Sequence, residues 1–274
     1  TTGHEVSKLV RRPSESADCI AVWENESEVQ RLNGFDAVVH LAGKPIADRR
    51  WNDRIKSEIR DSRVGPTRQL CESLAALSDP PPVFVCASAI GIYGDCGDEV
   101  LEASSPPGTD FLAKVAVQWE AACQPAIDAG IRVVNVRFGI VLDRSGGALK
   151  KMILPAKLFG GALGSGRQWW SWIALEDAVG AIVQTINDES ISGPVNLVAP
   201  NPIRNRDFAK TLGKVLGRPA IFPAPAFVLR AAMGEMADAL LLSSTRVQPT
   251  KLTAARYEYQ YVDLESYLKS ELAG

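Results

Sequence analysis

The stretch Ala37-Val38-Val39-His40-Leu41-Ala42-Gly43 is a short, nearly unbroken apolar run that ends on two small residues. A strand buried on both faces reads this way, because no polar residue alternates with the apolar ones. Similar runs recur on either side of it, at intervals that leave room for helices. Upstream, Glu5 to Val10 reads as a strand ending in Arg11, Arg12 and Pro13, and Cys19 to Trp23 as a second short strand. Downstream, Asn52 is placed to cap a helix that carries Ile55 and Ile59 on one face. Gly65-Pro66 predicts a break, with a second helix through Leu70, Leu74 and Leu77 that Pro80-Pro81-Pro82 stops. Val83 to Cys86 is the next strand, Ala89 to Gly108 a long loop, Asp110 to Ala129 a helix and Ile131 to Val136 a further strand. Strand alternating with helix predicts a parallel sheet covered on both faces.

After Arg137 the rhythm loosens. Leu149 to Phe159 and Leu175 to Asn187 read as helices, and Pro194 to Val198 as a short strand. Asn205 is the expected N-cap of a helix that exits at Gly217 and Pro219. Phe227 to Leu242 reads as one helix, and Leu264 to Leu272 closes the chain. The division this predicts is a sheet domain of residues 1–138 plus about 174–198, and a smaller helix-rich lobe from about 139–173 and 199–274.

Composition narrows the function. With 274 residues, 46% hydrophobic and 23% charged, the chain suits a globular protein. A formal net charge of −2 leaves no basic field to attract nucleic acid or an acidic membrane, so neither is expected as a partner. No apolar run approaches the ~20 residues needed to cross a bilayer. Cys19, Cys71, Cys86, Cys96 and Cys123 show no Cys-x-x-Cys spacing, which argues against a zinc site and for a reducing, cytoplasmic compartment. His4 and His40 are the only histidines, too few for a histidine-rich metal site.

A dinucleotide-binding sheet begins with a strand, a glycine-rich turn and a helix whose N-terminus holds the pyrophosphate. Thr1-Thr2-Gly3-His4-Glu5-Val6 instead reads as a helix end, a Gly3 cap and the second strand. The expectation is a Rossmann-type, doubly wound parallel sheet lacking its first β-α unit. Gly91-x-x-Gly94-x-x-Gly97 has the phosphate-loop spacing but runs into Asp98, Glu99 and Glu102 rather than a helix.

Several motifs resemble a known family. His40-Leu41-Ala42-Gly43, Ser88 with Ile92-Tyr93-Gly94, and Arg137-Phe138-Gly139-Ile140-Val141-Leu142 resemble the extended short-chain dehydrogenase/reductase superfamily, in its sugar-nucleotide epimerase branch. Residues 43–47 (Gly-Lys-Pro-Ile-Ala), Ser62-Arg63-Val64, Trp119-Glu120-Ala121-Ala122, Trp172-Ile173 and Ala199-Pro200-Asn201-Pro202 resemble an atypical "epimerase family" group, also labelled cell-division-inhibitor-like. The tail from about Arg218 to Leu272 is similar to that group's C-terminal domain of unknown function. The resemblance implies a member lacking roughly its first twenty residues, the length of one strand-turn-helix start. It also implies a small-molecule substrate, which the motifs do not name.

An acid at the end of the second strand selects NAD by binding the ribose 2′-OH. Arg11 stands there, followed by Arg12, and a guanidinium suits a 2′-phosphate, so NADP is favoured over NAD. The resemblance places Leu41, Ala42 and Gly43 against the cofactor, Glu58 and Arg63 within reach of it, and Gly139 to Val141 on the nicotinamide side. The superfamily's Tyr-x-x-x-Lys acid is missing: its helix reads Phe111-Leu112-Ala113-Lys114-Val115-Ala116. Ser88 and Tyr93 are the remaining catalytic candidates. Trp169, Trp170 and Trp172 are expected to form an apolar wall for a substrate ring. Two functions follow: an NADP-dependent oxidoreductase or epimerase with a nonstandard acid, or a redox-inactive NADP-binding protein with a regulatory or structural role.

Overall fold

The computed structural model describes residues 3–11, 16, 18–21, 26–158 and 160–272, the side chains of Glu26 and Ser27 excepted. Its centre is four parallel strands, β3 (Ala37–His40), β4 (Val83–Ala89), β6 (Arg132–Phe138) and β11 (Gly193–Leu197), in the order β11-β6-β4-β3. The register places Val38 opposite Phe84, and Val85 opposite Val134. β4 is buried almost throughout, as expected of a strand with helices on both faces. Two earlier strands, β1 (Lys8–Leu9) and β2 (Cys19–Ile20), form a separate parallel pair. Both are shorter than the runs that predict them, and Val22 and Trp23 lie outside the described residues.

Between β1 and β3 runs a cleft of about 1230 Å³, lined by Val6, Leu9, Leu32, Phe35, Val38 and Ile182 among others. Among the described residues, no ladder crosses it. This is the place that the first strand of a 3-2-1-4-5-6 sheet occupies. The β1–β2 pair is held to the rest by side-chain packing, with Ile20 and Leu9 against Leu70, Leu74 and Phe84.

The first long helix runs unbroken from Asp53 to Ala75, so Gly65-Pro66 does not divide it. Ile55, Ile59, Leu70 and Leu74 all bury on the same side. That packing offsets the ~3 kcal/mol that an interior proline costs. Asn52 caps it as expected, accepting from the Ile55 amide at 2.9 Å. Asp110 caps the helix Phe111–Ala121 through the Ala113 amide, and a second short helix, Gln124–Asp128, completes the predicted span. Asn205 begins its helix (Asn205–Val215) but does not cap it, because its Oδ1 accepts from the Leu163 amide at 2.7 Å. The predicted helix Phe227 to Leu242 breaks at Gly234, whose φ of +63° leaves the right-handed region.

Outside the central sheet the chain builds a second packed region. Strand β7 (Ile140–Leu142) pairs with β10 (Trp172–Ala174), and β9 (Trp169–Trp170) with β12 (Ile203–Arg204). Strand β8 (Gly160–Leu163) pairs with β13 (Phe222–Ala224), and β5 (Val100–Leu101) with β14 (Arg246–Val247). Its core gathers Leu142, Leu149, Trp172, Phe208, Tyr267 and Leu268. Among the described residues, no helix is long and apolar enough to cross a membrane, and no cluster of His, Cys, Asp and Glu could hold a metal.

Candidate functional site

The carboxyl end of β3 opens onto Leu41, Ala42 and Gly43. Leu41 is 53% exposed although it is apolar, so the strand end presents a flat apolar ledge. Arg63 holds the turn that follows. Its guanidinium donates to the Lys44 carbonyl at 2.9 Å and to the Ile59 carbonyl at 3.0 Å, and it lies 5.1 Å from the Trp119 ring centre. The Lys44 amide donates to Ser62 Oγ at 3.0 Å. A Cβ on Gly43 would come within 3.1 Å of Arg63 Cζ, so the glycine lets the guanidinium approach the backbone. Burial lowers the Arg63 pKa. Glu58 is taken up by Lys44 and by Arg54, the latter at 2.8 Å. Hydrogen bonds from Lys44 and then Arg54 pull its pKa down. Arg63 and Glu58 therefore brace the Leu41–Lys44 turn from beneath. Arg11 follows β1 and is exposed; Arg12 lies outside the described residues.

The ends of β4 and β6 carry a buried polar network instead of an open catalytic pair. Arg137 donates to both Glu120 oxygens at 2.8 Å, to the Tyr93 hydroxyl at 2.9 Å and to the Ala103 carbonyl at 2.9 Å. Ser88 donates to Glu120 at 2.6 Å, and Tyr93 to Asn196 Oδ1 at 2.6 Å. The order is what a buried ion needs: the guanidinium makes four hydrogen bonds, two of them to a carboxylate of opposite charge. Burial acts to lower the Arg137 pKa, but the hydrogen bonds and charge of Glu120 outweigh it and the net shift is upward. Burial likewise raises the Tyr93 pKa. Tyr93 is 2% exposed with its oxygen bonded on both sides, a poor position for giving a proton to a ligand. The geometry thus gives both catalytic candidates a structural occupation. Sequence reading passed over Glu120, Arg137 and Asn196 as functional groups. The available signal was a charged residue inside the apolar run of β6, where an unpaired charge would be prohibitive.

The helix Phe111–Ala121 brings no phenol to the sheet end: Leu112 is half-buried, Ala116 buried and Lys114 exposed. Gly139 is needed for packing, since a Cβ there would stand 2.6 Å from the Ser171 carbonyl oxygen and 2.7 Å from Val198 Cγ1. Val141 is half-buried opposite Ile173 in the β7–β10 pair. The three tryptophans do not act together. Trp172, 1% exposed, stacks on Tyr267 at 5.9 Å and donates to the Asn201 carbonyl. Trp170 is buried edge-on to Phe208 at 5.3 Å. Only Trp169 keeps partial exposure, with the Arg204 and Arg246 guanidinium carbons 4.0 and 4.6 Å from its ring centre. The predicted wall reduces to that one residue, because the other two fill the second core.

His40 is the other titratable group at the strand ends. It is buried, its Nε2 lies 3.1 Å from Thr67 Oγ1, and Trp119 Nε1 donates to the same oxygen at 3.0 Å. Burial pushes its pKa down to about 4, so it is neutral at pH 7.

The sequence is similar to known proteins over nearly its whole length. The NAD dependent epimerase/dehydratase family matches residues 1–197, and a domain of unknown function, DUF1731, matches residues 224–271. The epimerase family protein Mb2239 of Mycobacterium bovis is 40% identical over 262 residues, covering 94% of this chain and 86% of the relative. The crystal structure of the human epimerase family protein SDR39U1 with NADPH superposes with a TM-score of 0.90 at 33% identity, covering 99% of this chain and 92% of that one. A nucleoside-diphosphate sugar epimerase from Corynebacterium glutamicum gives a TM-score of 0.80 at 36% identity, over 98% of this chain and 53% of its own length. With the family matching 197 of its residues and relatives at this identity and coverage, the chain belongs to the NAD dependent epimerase/dehydratase family.

Proposed function

We propose that the chain binds NADP(H) across the carboxyl ends of its sheet and serves an oxidoreductase or epimerase reaction on a small molecule. The observation that carries this reading is the likeness to the human protein crystallised with NADPH. The residues present fit the cofactor: the Leu41-Ala42-Gly43 ledge offers a flat apolar surface, and Arg11 supplies an exposed guanidinium at the end of β1. Arg11, with Arg12, would hold the 2′-phosphate by charge-assisted hydrogen bonds. Arg63 and Glu58 would fix the ledge, and Val141 would flank the nicotinamide side. When bound, the cofactor supplies or accepts the hydride.

Calorimetry with NADPH and NADH tests the cofactor choice. Arg11→Ala is expected to weaken NADPH binding by about 1–3 kcal/mol while leaving NADH unchanged. Equal affinity of the parent protein for the two cofactors would refute it. A redox-inactive role is the second reading, favoured by Ser88 and Tyr93 both being engaged in the Arg137 network. Transfer of label from 4-deuterated NADPH to a panel of carbonyl compounds separates the two: transfer supports the enzyme, and tight binding without transfer supports the second reading.

A further inference from the structure

The second lobe carries an apolar surface with an unusual charge setting. Leu154, Leu158, Ile221, Phe222, Phe227 and Val228 are all exposed, Ile221 at 59% and Phe227 at 72%. They are neighbours in space. Phe222 pairs with Gly160, two residues beyond Leu158, and Leu154 and Leu158 share one face of the helix Gly147–Lys157. Phe227 and Val228 open the helix Ala226–Met233, which follows β13 directly and buries none of its side chains. Ala226, Leu229 and Met233 are half-buried along one side of it, and Phe227 and Val228 stand in solvent on the other, so the helix leaves much of its apolar surface uncovered.

Cations predominate in the two segments that carry it. Residues 144–175 contain Arg144, Lys150, Lys151, Lys157 and Arg167 and no acid. Residues 208–234 contain Lys210, Lys214, Arg218 and Arg230 and no acid. Lys210, Lys214 and Arg218 border a hollow of about 380 Å³ that ends at Ala220, next to Ile221. Three of these cations are matched, Lys151 by Asp48, Lys214 by Glu265 and Arg230 by Asp238. Lys157 and Lys210 have no carboxylate partner among the described residues. The net charge of −2 does not display this local excess, because neither segment contains an acid of its own.

We infer that this face docks the protein on the surface of an anionic phospholipid bilayer. Side chains exposed to this degree stand out from the surface, and the headgroup boundary accepts such protrusions without a matching pocket. Apolar side chains entering that boundary beside lysines that meet anionic headgroups is the composition of a peripheral membrane contact. Charge complementarity selects the anionic lipid, and burial of the six apolar side chains supplies the attraction that salt does not screen.

Co-sedimentation with sucrose-loaded vesicles tests this. The protein is expected to pellet with phosphatidylcholine vesicles containing phosphatidylserine and to remain in solution with phosphatidylcholine alone. Raising salt should release most of it. Lys157→Ala/Lys210→Ala should lower the partition coefficient by roughly fivefold per charge, the equivalent of about 1 kcal/mol each. Phe222→Asp/Phe227→Asp should abolish pelleting with the melting temperature unchanged; if that variant is unstable, the lysine variant and the salt dependence decide. Absence of pelleting with either vesicle, or pelleting indifferent to lipid charge and to Lys157 and Lys210, overturns the inference. So does a dimer, seen by light scattering and lost on Phe222→Asp, in a protein that ignores vesicles.

Discussion

Glu120→Ala tests whether the Arg137 network is a structural unit. The substitution removes the acceptor of two Arg137 hydrogen bonds at 2.8 Å and of the Ser88 bond at 2.6 Å. Arg137, whose side chain is 8% exposed, then keeps only the Tyr93 hydroxyl and the Ala103 carbonyl. A charge stranded in this way costs about 3–5 kcal/mol, whereas loss of a surface pair costs about 0–1. Against a total stability of about 5–15 kcal/mol, that is a large fraction. Urea unfolding followed by circular dichroism should show the midpoint falling sharply. The double variant Glu120→Ala/Arg137→Met should be more stable than Glu120→Ala alone, because it no longer buries an unmatched cation. A single-variant loss under about 1 kcal/mol, or a double variant that sums both single losses, would refute the reasoning.

Two further perturbations act on the same strand ends. His40 has a folded pKa of about 4 against an ordinary 6.5, so the unfolded chain takes up the proton first as pH falls. Stability should be full above about pH 6.5 and decline toward pH 4, by about 3 kcal/mol at most, and His40→Phe should flatten that slope; a melting temperature constant from about pH 7 to 5 would count against it. Gly139→Ala must displace the Ser171 carbonyl or Val198, and should cost about 1–3 kcal/mol in a thermal melt. An unchanged melt would mean that the junction between β6 and β7 is slack.

The sheet was legible because its strands declare themselves: Ala37–His40, Val83–Ala89 and Arg132–Phe138 are predominantly apolar runs separated by helix-length segments. The helix boundaries were less so. Pro66 looks like a stop in any local reading, and only the burial of Leu70 and Leu74 beside Ile55 and Ile59 carries the helix past it. Asn205 has the right chemistry for a cap, yet Leu163, distant in sequence, takes its oxygen. The site divides in the same way. Leu41, Ala42 and Gly43 could be put at the end of a central strand from the apolar run, and the family resemblance suggested the cofactor beside them. Glu58, Arg63, Ser88 and Tyr93 could be found as motifs, but their work is set by partners such as Lys44, Glu120 and Arg137 that no local spacing reveals. Trp170 and Trp172 read as a ligand wall only until Phe208 and Tyr267 are seen packed on them.

The cleft between β1 and β3 has a consequence for how the molecule opens. Amides of β4 and β6 are bonded within a four-stranded ladder, so their exchange with deuterium should require cooperative loss of the whole sheet. Amides of β1 and β2 are tied within their own neighbourhood, as in Lys8 to the Asp18 carbonyl and Cys19 to the Ser16 carbonyl, and can be released without breaking that ladder. The described chain therefore contains two protection classes on either side of one groove, and local opening should begin on the β1–β2 side while the ladder through His40, Cys86 and Asn135 stays closed.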